Sequence, residues 1–126
     1  MFNSLLKIED LELSFKMYEG ISTVLKKINM ELNKGEKVAL VGESGSGKSV
    51  TTKLILGLLN QKNVYKAGKI IFNQRDILNL SEKDFKKIRG NNISIIFQDP
   101  TAALNPVFKI KNQFHEVNLN YNNKIS

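Results

Sequence analysis

The sequence predicts an α/β fold, and three observations carry that prediction. Residues 42–49 read GESGSGKS, a phosphate-binding loop with Gly42, Gly47, Lys48 and Ser49 at its four fixed places. The run KVALV at residues 37–41 in front of it is apolar and short, readable as a buried strand. Behind it Val50, Leu54 and Leu58 recur every fourth residue, the stripe of a helix. Strand, glycine-rich turn and helix together are the setting in which such a loop binds phosphate.

The elements follow in order. In residues 5–15, Leu6, Ile8, Leu11, Leu13 and Phe15 alternate loosely with Lys7, Glu9, Asp10, Glu12 and Ser14, which predicts a half-buried strand. Tyr18-Glu19-Gly20 reads as a turn. Residues 22–32 resume the alternation with Val24, Ile28, Met30 and Leu32, and Asn33-Lys34-Gly35-Glu36 is a strong turn signal. Two or three antiparallel strands are therefore expected before the loop. Beyond the loop helix, residues 60–66 form a polar connection, Lys69-Ile70-Ile71-Phe72 a short strand, and Asn73-Gln74-Arg75-Asp76 a turn.

A second helix is expected from Ser81. That residue is a plausible N-cap, with Glu82 and Asp84 in the first turn, Lys86, Lys87 and Arg89 towards the end, and Gly90 as the stop. Residues 93–97 are a continuous apolar run of strand length, closed by Gln98-Asp99-Pro100. Pro106 closes a loop, and residues 110–117 suit one helical segment. From Asn118 the chain reads NLNYNNKIS, a polar tail over residues 118–126 for which no structure is expected.

The loop's residue types follow from its chemistry. A triphosphate needs many donors close to the backbone. Gly42, Gly45 and Gly47 permit positive φ and close approach, so successive N–H groups can turn inward as an anion nest. The helix that follows starts at the phosphate, where its unpaired N–H groups and dipole favour negative charge. The expected phosphate-binding set is Gly42, Glu43, Ser44, Gly45, Ser46, Gly47, Lys48, Ser49 and Val50. Lys48 would reach the β- and γ-phosphates, and the Ser49 hydroxyl would ligand Mg2+.

Composition narrows the class. At 126 residues the chain has room for one modest domain, and its 41% apolar and 25% charged residues are an ordinary globular balance. It has no cysteine, which excludes disulfides and thiolate metal sites. No apolar run approaches the roughly 20 residues of a membrane span. The start, MFNSLLKIEDLEL, has acids within its apolar part and no basic lead, unlike a signal peptide. Nineteen Lys and Arg against twelve Asp and Glu give +7. The basic residues are scattered without interleaved aromatics, so solvated faces explain them and no direct nucleic-acid partner is expected.

Phosphate loops serve many activities, so the loop alone fixes a ligand class and not a job. Four stretches make the resemblance specific: LKIEDLELSF, NKGEKVALVGESGSGKSVT, GKIIFNQRDIL, and ISIIFQDPTAALNP followed by QFHE. In that order they resemble the N-terminal part of an ABC transporter ATPase, close to the subgroup serving oligopeptide, dipeptide and nickel importers. The resemblance covers nearly the whole chain. It implies a partial P-loop NTPase core with an N-terminal antiparallel β subdomain, spanning residues 1–126 from the phosphate loop through the Q-loop.

By that resemblance Gln98 is the Q-loop glutamine, a neutral amide whose oxygen can ligand Mg2+. The aromatic that stacks on adenine is best matched by Phe15, since Asp10, Leu11 and Phe15 satisfy D-L-x-x-x-aromatic, with Tyr18 as the alternative. The implied ligands are ATP and Mg2+. The implied partners are membrane permease subunits, a second ABC ATPase subunit and, indirectly, an external substrate-binding protein. The implied location is the cytoplasmic face of the inner membrane, as a peripheral subunit.

Several parts of such an ATPase are missing from the sequence. There is no LSGGQ-like signature; Leu80-Ser81-Glu82 is a helix start without its glycines. No apolar run ends in Asp-Glu, and Ile95-Ile96-Phe97-Gln98-Asp99, the nearest, is better explained as the Q-loop. His115, the only histidine, stands too soon after Gln98 for the family's switch histidine and reads as a surface residue. Without a complete catalytic set, negligible hydrolysis is expected from this chain alone. In the family, strands from the later half separate the loop strand from the Q-loop strand. Residues 38–41 and 93–97 are then expected as unpaired apolar edges, and a truncated or split gene product that expresses poorly is the corresponding expectation. Two other readings stand beside the ATPase: an inactive nucleotide-binding remnant acting only as an interaction module or without function, and a small phosphate-loop kinase. The kinase is disfavoured because Arg75 and Arg89, the only arginines, lack a lid-like setting.

Overall fold

The computed structural model describes residues 3–125. Met1 and Phe2 of the apolar start, and Ser126 of the expected tail, lie outside the described residues. The chain divides into two units, Met1–Glu82 and Lys83–Ser126.

The first unit is built on an antiparallel sheet of order β2-β1-β3-β4. Strands β1 (Ser4–Met17) and β2 (Gly20–Asn33) form a long hairpin closed by Tyr18-Glu19. Strand β3 (Val64–Phe72) pairs on the other side of β1, so β1 is central. Strand β4 (Arg75–Asp76) turns back on β3 through Asn73 and Gln74, whose φ of 46° and 66° are the left-handed pair a two-residue hairpin turn requires. The Asp76 carboxylate accepts from the N–H of Leu78 at 3.0 Å and fixes the exit from β4.

Helix α1 (Lys48–Ile55) lies in the same unit. The core is apolar side chains from each part: Leu6, Ile8, Leu11 and Leu13 of β1, Leu25 of β2, Leu54 of α1, Ile70 of β3, and Ile77 and Leu78 beyond β4. Burying such side chains is worth about 1.5–3 kcal/mol each, which makes this sheet and helix the most heavily stabilised part of the described chain.

The α1 stripe is one turn shorter than the sequence suggests. Leu58 lies outside the helix because Gly57, at φ 63°, ends it. The N–H of Leu58 reaches Lys53 O at 2.9 Å and that of Gly57 reaches Leu54 O at 2.9 Å, the paired bonds of a Schellman ending.

The second unit carries α2 (Glu82–Ile88), which straddles the unit boundary, then α3 (Pro100–Ala103) and α4 (Ile110–Ile125). Helix α2 starts directly after Ser81, and Gly90 at φ 81° follows its end as anticipated. Helix α4 continues well past Val117, so residues 118–125 are helical rather than structureless. Nothing in NLNYNNK breaks a helix, and the turn begun by the apolar residues before it simply propagates.

Two expected strands are not formed. Residues 37–41 have no ladder partner among the described residues, and Val38, Leu40 and Val41 are exposed. Of residues 93–97 only Ile93 is paired, by one parallel bridge to Arg89, while Ile96 and Phe97 face solvent. Among the described residues the parallel sheet implied by an α/β reading is thus absent. A strand buried on both faces needs neighbours that the described chain does not supply.

Candidate phosphate-binding loop

Residues 42–47 form a tight turn that delivers the chain into α1. Gly45 has φ 81° and Gly47 φ 94°, and Gly47 is the N-cap of α1. Gly42 does not use a positive φ, contrary to the sequence reading. Its need is room: a Cβ there would stand 2.5 Å from Ser46 Oγ.

Two devices hold the turn. Ser46 N–H donates to Glu43 O at 3.2 Å across the loop. Thr51, buried within the first turn and a half of α1, donates both its N–H (2.9 Å) and its hydroxyl (2.8 Å) to Gly47 O. The sequence reading missed Thr51; its signal was a hydroxyl four residues after the last loop glycine, where a helical side chain reaches back to that carbonyl.

The electrostatics suit an anion. Helix α1 has no acidic residue in its first turn and no side chain on its N-terminal N–H groups, since its N-cap is a glycine. The Lys48 ammonium donates to Gly42 O, to Glu43 O at 2.7 Å and to Ser46 Oγ at 3.2 Å. Its three donors are thereby spent on the loop itself. A phosphate oxygen arriving at the loop would find a cation already held there. Ser44, Ser49 and Val50 complete the expected set, and Ser49 stands exposed in the first turn.

Phe15 lies on β1 opposite Ser22 of β2 and Val64 of β3 and is half-buried. It shares a face with Leu13, two residues earlier. Leu13 is paired with Leu25, and Leu25 Cδ2 packs against Gly47. Tyr18, the alternative aromatic, occupies the hairpin turn and is fully exposed.

Gln98 belongs to the second unit and is exposed at a bend between Phe97 and Asp99. Asp99 caps α3, accepting from the Thr101 N–H at 2.9 Å and hydroxyl at 2.5 Å. Those bonds hold its carboxyl below the usual carboxylate range, so it is a structural cap. Further on, Gln113 ties down the loop after α3: its Oε1 accepts from Asn105 N–H at 3.1 Å and its Nε2 donates to Phe108 O at 3.0 Å. His115 is exposed on α4. Among the described residues no group of three or more His, Cys, Asp or Glu could hold a metal ion.

A glycine loop opening a helix beside an antiparallel sheet defines a phosphate-loop nucleotide-binding protein. More narrowly, the chain belongs to the ABC transporter family, whose model matches residues 25–125. It is 46% identical over 114 residues to the oligopeptide transport ATP-binding protein OppD of Bacillus subtilis, covering 90% of this chain and 32% of that protein. It is 43% identical over 122 residues to the dipeptide transport ATP-binding protein DppD of Lactococcus lactis, covering 96% and 35%. The chain thus spans about a third of the length of these curated relatives. Among solved structures it is similar to dimeric MJ0796, a bacterial ABC transporter cassette, with TM-score 0.70 and 29% identity over 82% of this chain and 42% of that one. A second structure of that cassette, bound to ADP and Pi, gives TM-score 0.57 over 66% and 34%. The fold class is accordingly a partial P-loop NTPase core with an antiparallel β subdomain.

Proposed function

We propose that this chain binds MgATP at residues 42–49 and is the ATP-binding subunit, or part of one, of a bacterial peptide-type importer. The observation that carries the proposal is the loop itself: left-handed Gly45 and Gly47 leading into an uncapped helix, with the Lys48 ammonium gathered over it. The peptide-transport relatives support the cargo class.

In this reading Gly42, Glu43, Ser44, Gly45, Ser46, Gly47 and Val50 offer backbone amides to the phosphates, and Lys48 neutralises the β- and γ-groups. Mg2+ takes phosphate oxygens and water in preference to an all-protein cage. Ser49 would hold that ion through its neutral hydroxyl oxygen. When bound it neutralises charge on the transferred phosphoryl group. Phe15 stacks on adenine; its place beside Leu13, on the face that supports Gly47, favours it over Tyr18.

The partners are membrane permease subunits, a second ABC ATPase subunit and, through them, an external substrate-binding protein. The working place is the cytoplasmic face of the membrane. No helix among the described residues is long and apolar enough to cross a membrane.

A second reading is favoured by the exposed residues 38–41 and by exposed Ile96 and Phe97: an inactive nucleotide-binding remnant acting only as an interaction module or without function. Both readings bind nucleotide and part on turnover in the assembled transporter; ligand affinity tests the loop they share. Calorimetric titration of the chain with MgATP should give a binding isotherm that Lys48→Ala weakens at least about tenfold. Equal affinity in both proteins overturns the nucleotide-binding reading.

A further inference from the structure

The alternation along β1 breaks once. Leu6 and Ile8 are buried, then Leu11 and Leu13, so the inward residues change from even to odd numbers. The pairings show why. Glu9 to Glu12 is three steps on β1 against two on β3, from Lys69 to Ala67. Ile8 to Leu11 is likewise three steps against two on β2, from Met30 to Ile28. Strand β1 therefore holds one extra residue, a β-bulge.

Asp10 sits in the bulge with φ 44°, and Lys27 at φ 47° marks the reciprocal bulge in β2, where Ile28 to Leu25 is three steps against two. Opposite Asp10 on β3, Gly68 at φ 91° leaves the space a Cβ would take from the Glu9 and Asp10 carbonyls. Neither Asp10 nor Lys27 is a glycine, so each left-handed conformation must be held by its surroundings. One side chain bonds both. The Asn29 Oδ1 accepts the Asp10 N–H at 2.9 Å, and its Nδ2 donates to Asp10 Oδ1 at 3.2 Å and to Lys27 O at 3.1 Å.

A slip of one residue sends every later side chain to the opposite face. With the bulge in place Phe15 shares the face of Leu11 and Leu13. Without it, the even-numbered parity of Leu6 and Ile8 would carry Leu11, Leu13 and Phe15 to the other face. Leu11 and Leu13 are fully buried and resist that turn, so a loosened bulge acts on the less buried Phe15 end of the strand. We propose that Asn29 is a positioning residue for the nucleotide base: by clasping Asp10 and Lys27 it sets the face of β1 on which Phe15 stands. This inference rests on the reading of Phe15 as the adenine-stacking residue.

The test compares MgATP with magnesium tripolyphosphate, which offers the phosphates without a base, on the full chain and its Phe15→Ala and Asn29→Ala variants. The expected result is that both variants lose about tenfold in MgATP affinity while tripolyphosphate affinity stays within about twofold. Asp10→Gly, which tolerates φ 44° and keeps the backbone N–H for Asn29, is expected to retain the preference for MgATP. A merely structural role of Asn29 would lower both affinities together with the melting temperature, and that outcome overturns the proposal. So does an Asn29→Ala chain that keeps its preference for MgATP while Phe15→Ala loses it. An unchanged preference in Phe15→Ala overturns the reading of Phe15 itself, and this inference with it. Should Asn29→Ala not fold, Asn29→Gln, which displaces the same amide by one methylene, takes its place in the same comparison.

Discussion

Leu25 of β2 and Gly47 of the phosphate loop are packed so closely that a Cβ on Gly47 would lie 2.6 Å from Leu25 Cδ2. The sheet and the loop are thus one mechanical piece. Gly47→Ala places a methyl group against Leu25 at a residue whose φ of 94° already disfavours any side chain. The left-handed backbone alone costs roughly 1–2 kcal/mol. MgATP affinity should fall sharply and the melting temperature with it. Adding Leu25→Ala relieves the clash but not the φ and empties a core position, so part of the affinity should return while the melting temperature falls further. Denaturation and calorimetry of the single and double variants measure the split.

Thr51 is the second support. Thr51→Val keeps the shape and removes the hydroxyl bond to Gly47 O, while the Thr51 N–H still serves that carbonyl. The expected loss is about 1 kcal/mol, the net worth of one hydrogen bond, read from urea unfolding. A larger loss with diminished MgATP binding would show that the carbonyl's orientation governs the loop.

The start of α3 should be pH-dependent. The Asp99 carboxyl is lowered chiefly by the Thr101 hydroxyl bond and next by the Thr101 N–H. A lowered carboxyl contributes stability that is complete above its unfolded value, about 3.9. That contribution is lost as pH falls through the folded value. Protection of the Thr101 amide, taken relative to its intrinsic exchange rate at each pH, should therefore fall on acidification below about pH 4, and Asp99→Asn should remove that dependence. An acid-insensitive Thr101 amide in the parent chain would contradict the assignment.

Catalysis should be absent from the isolated polypeptide. Its 126 residues contain no apolar run ending in Asp-Glu and no LSGGQ-like stretch. A general base alone is worth about 10²–10⁴-fold in rate. Steady-state phosphate release by the chain should not exceed that of its Lys48→Ala variant. Turnover clearly above that variant would refute the expectation.

Self-association is the matching expectation for residues 37–41. Val38 and Leu40, with Met30, Leu32 and Ile55, line an open apolar cleft of about 220 Å3, and Val41 is 90% exposed beside it. Unpaired backbone next to apolar surface recruits other chains. Val41→Lys should lower the concentration-dependent mass seen in sedimentation. No change would place the association elsewhere.

Much of this was legible beforehand. The loop, the hairpin of β1 and β2, the turn at Asn73 and the stop at Gly90 all rest on local residue chemistry, and each was found. The failures have another cause. Residues 37–41 and 93–97 carry strand-like composition, but a strand is made by its neighbours, and among the described residues none pairs with 37–41. Gly57 was overlooked as the end of α1 although its type was the signal. The break in alternation between Ile8 and Leu11 was visible as looseness. That Asn29, nineteen residues from Asp10, is what secures it could not be read from pattern alone.

The central place of β1 dictates an order of assembly. Its partners β2 and β3 both lie within the first 72 residues, and the pairing with β2 starts at a two-residue reversal. The hairpin contacts of β1 with β2 are near in sequence and close quickly; those with β3 wait for residues 64–72, and a nascent chain emerges N-terminus first. The sheet can therefore be complete while later residues are still on the ribosome. The nucleotide loop, braced on Leu25, would then be shaped before the ribosome has released the segment bearing Gln98.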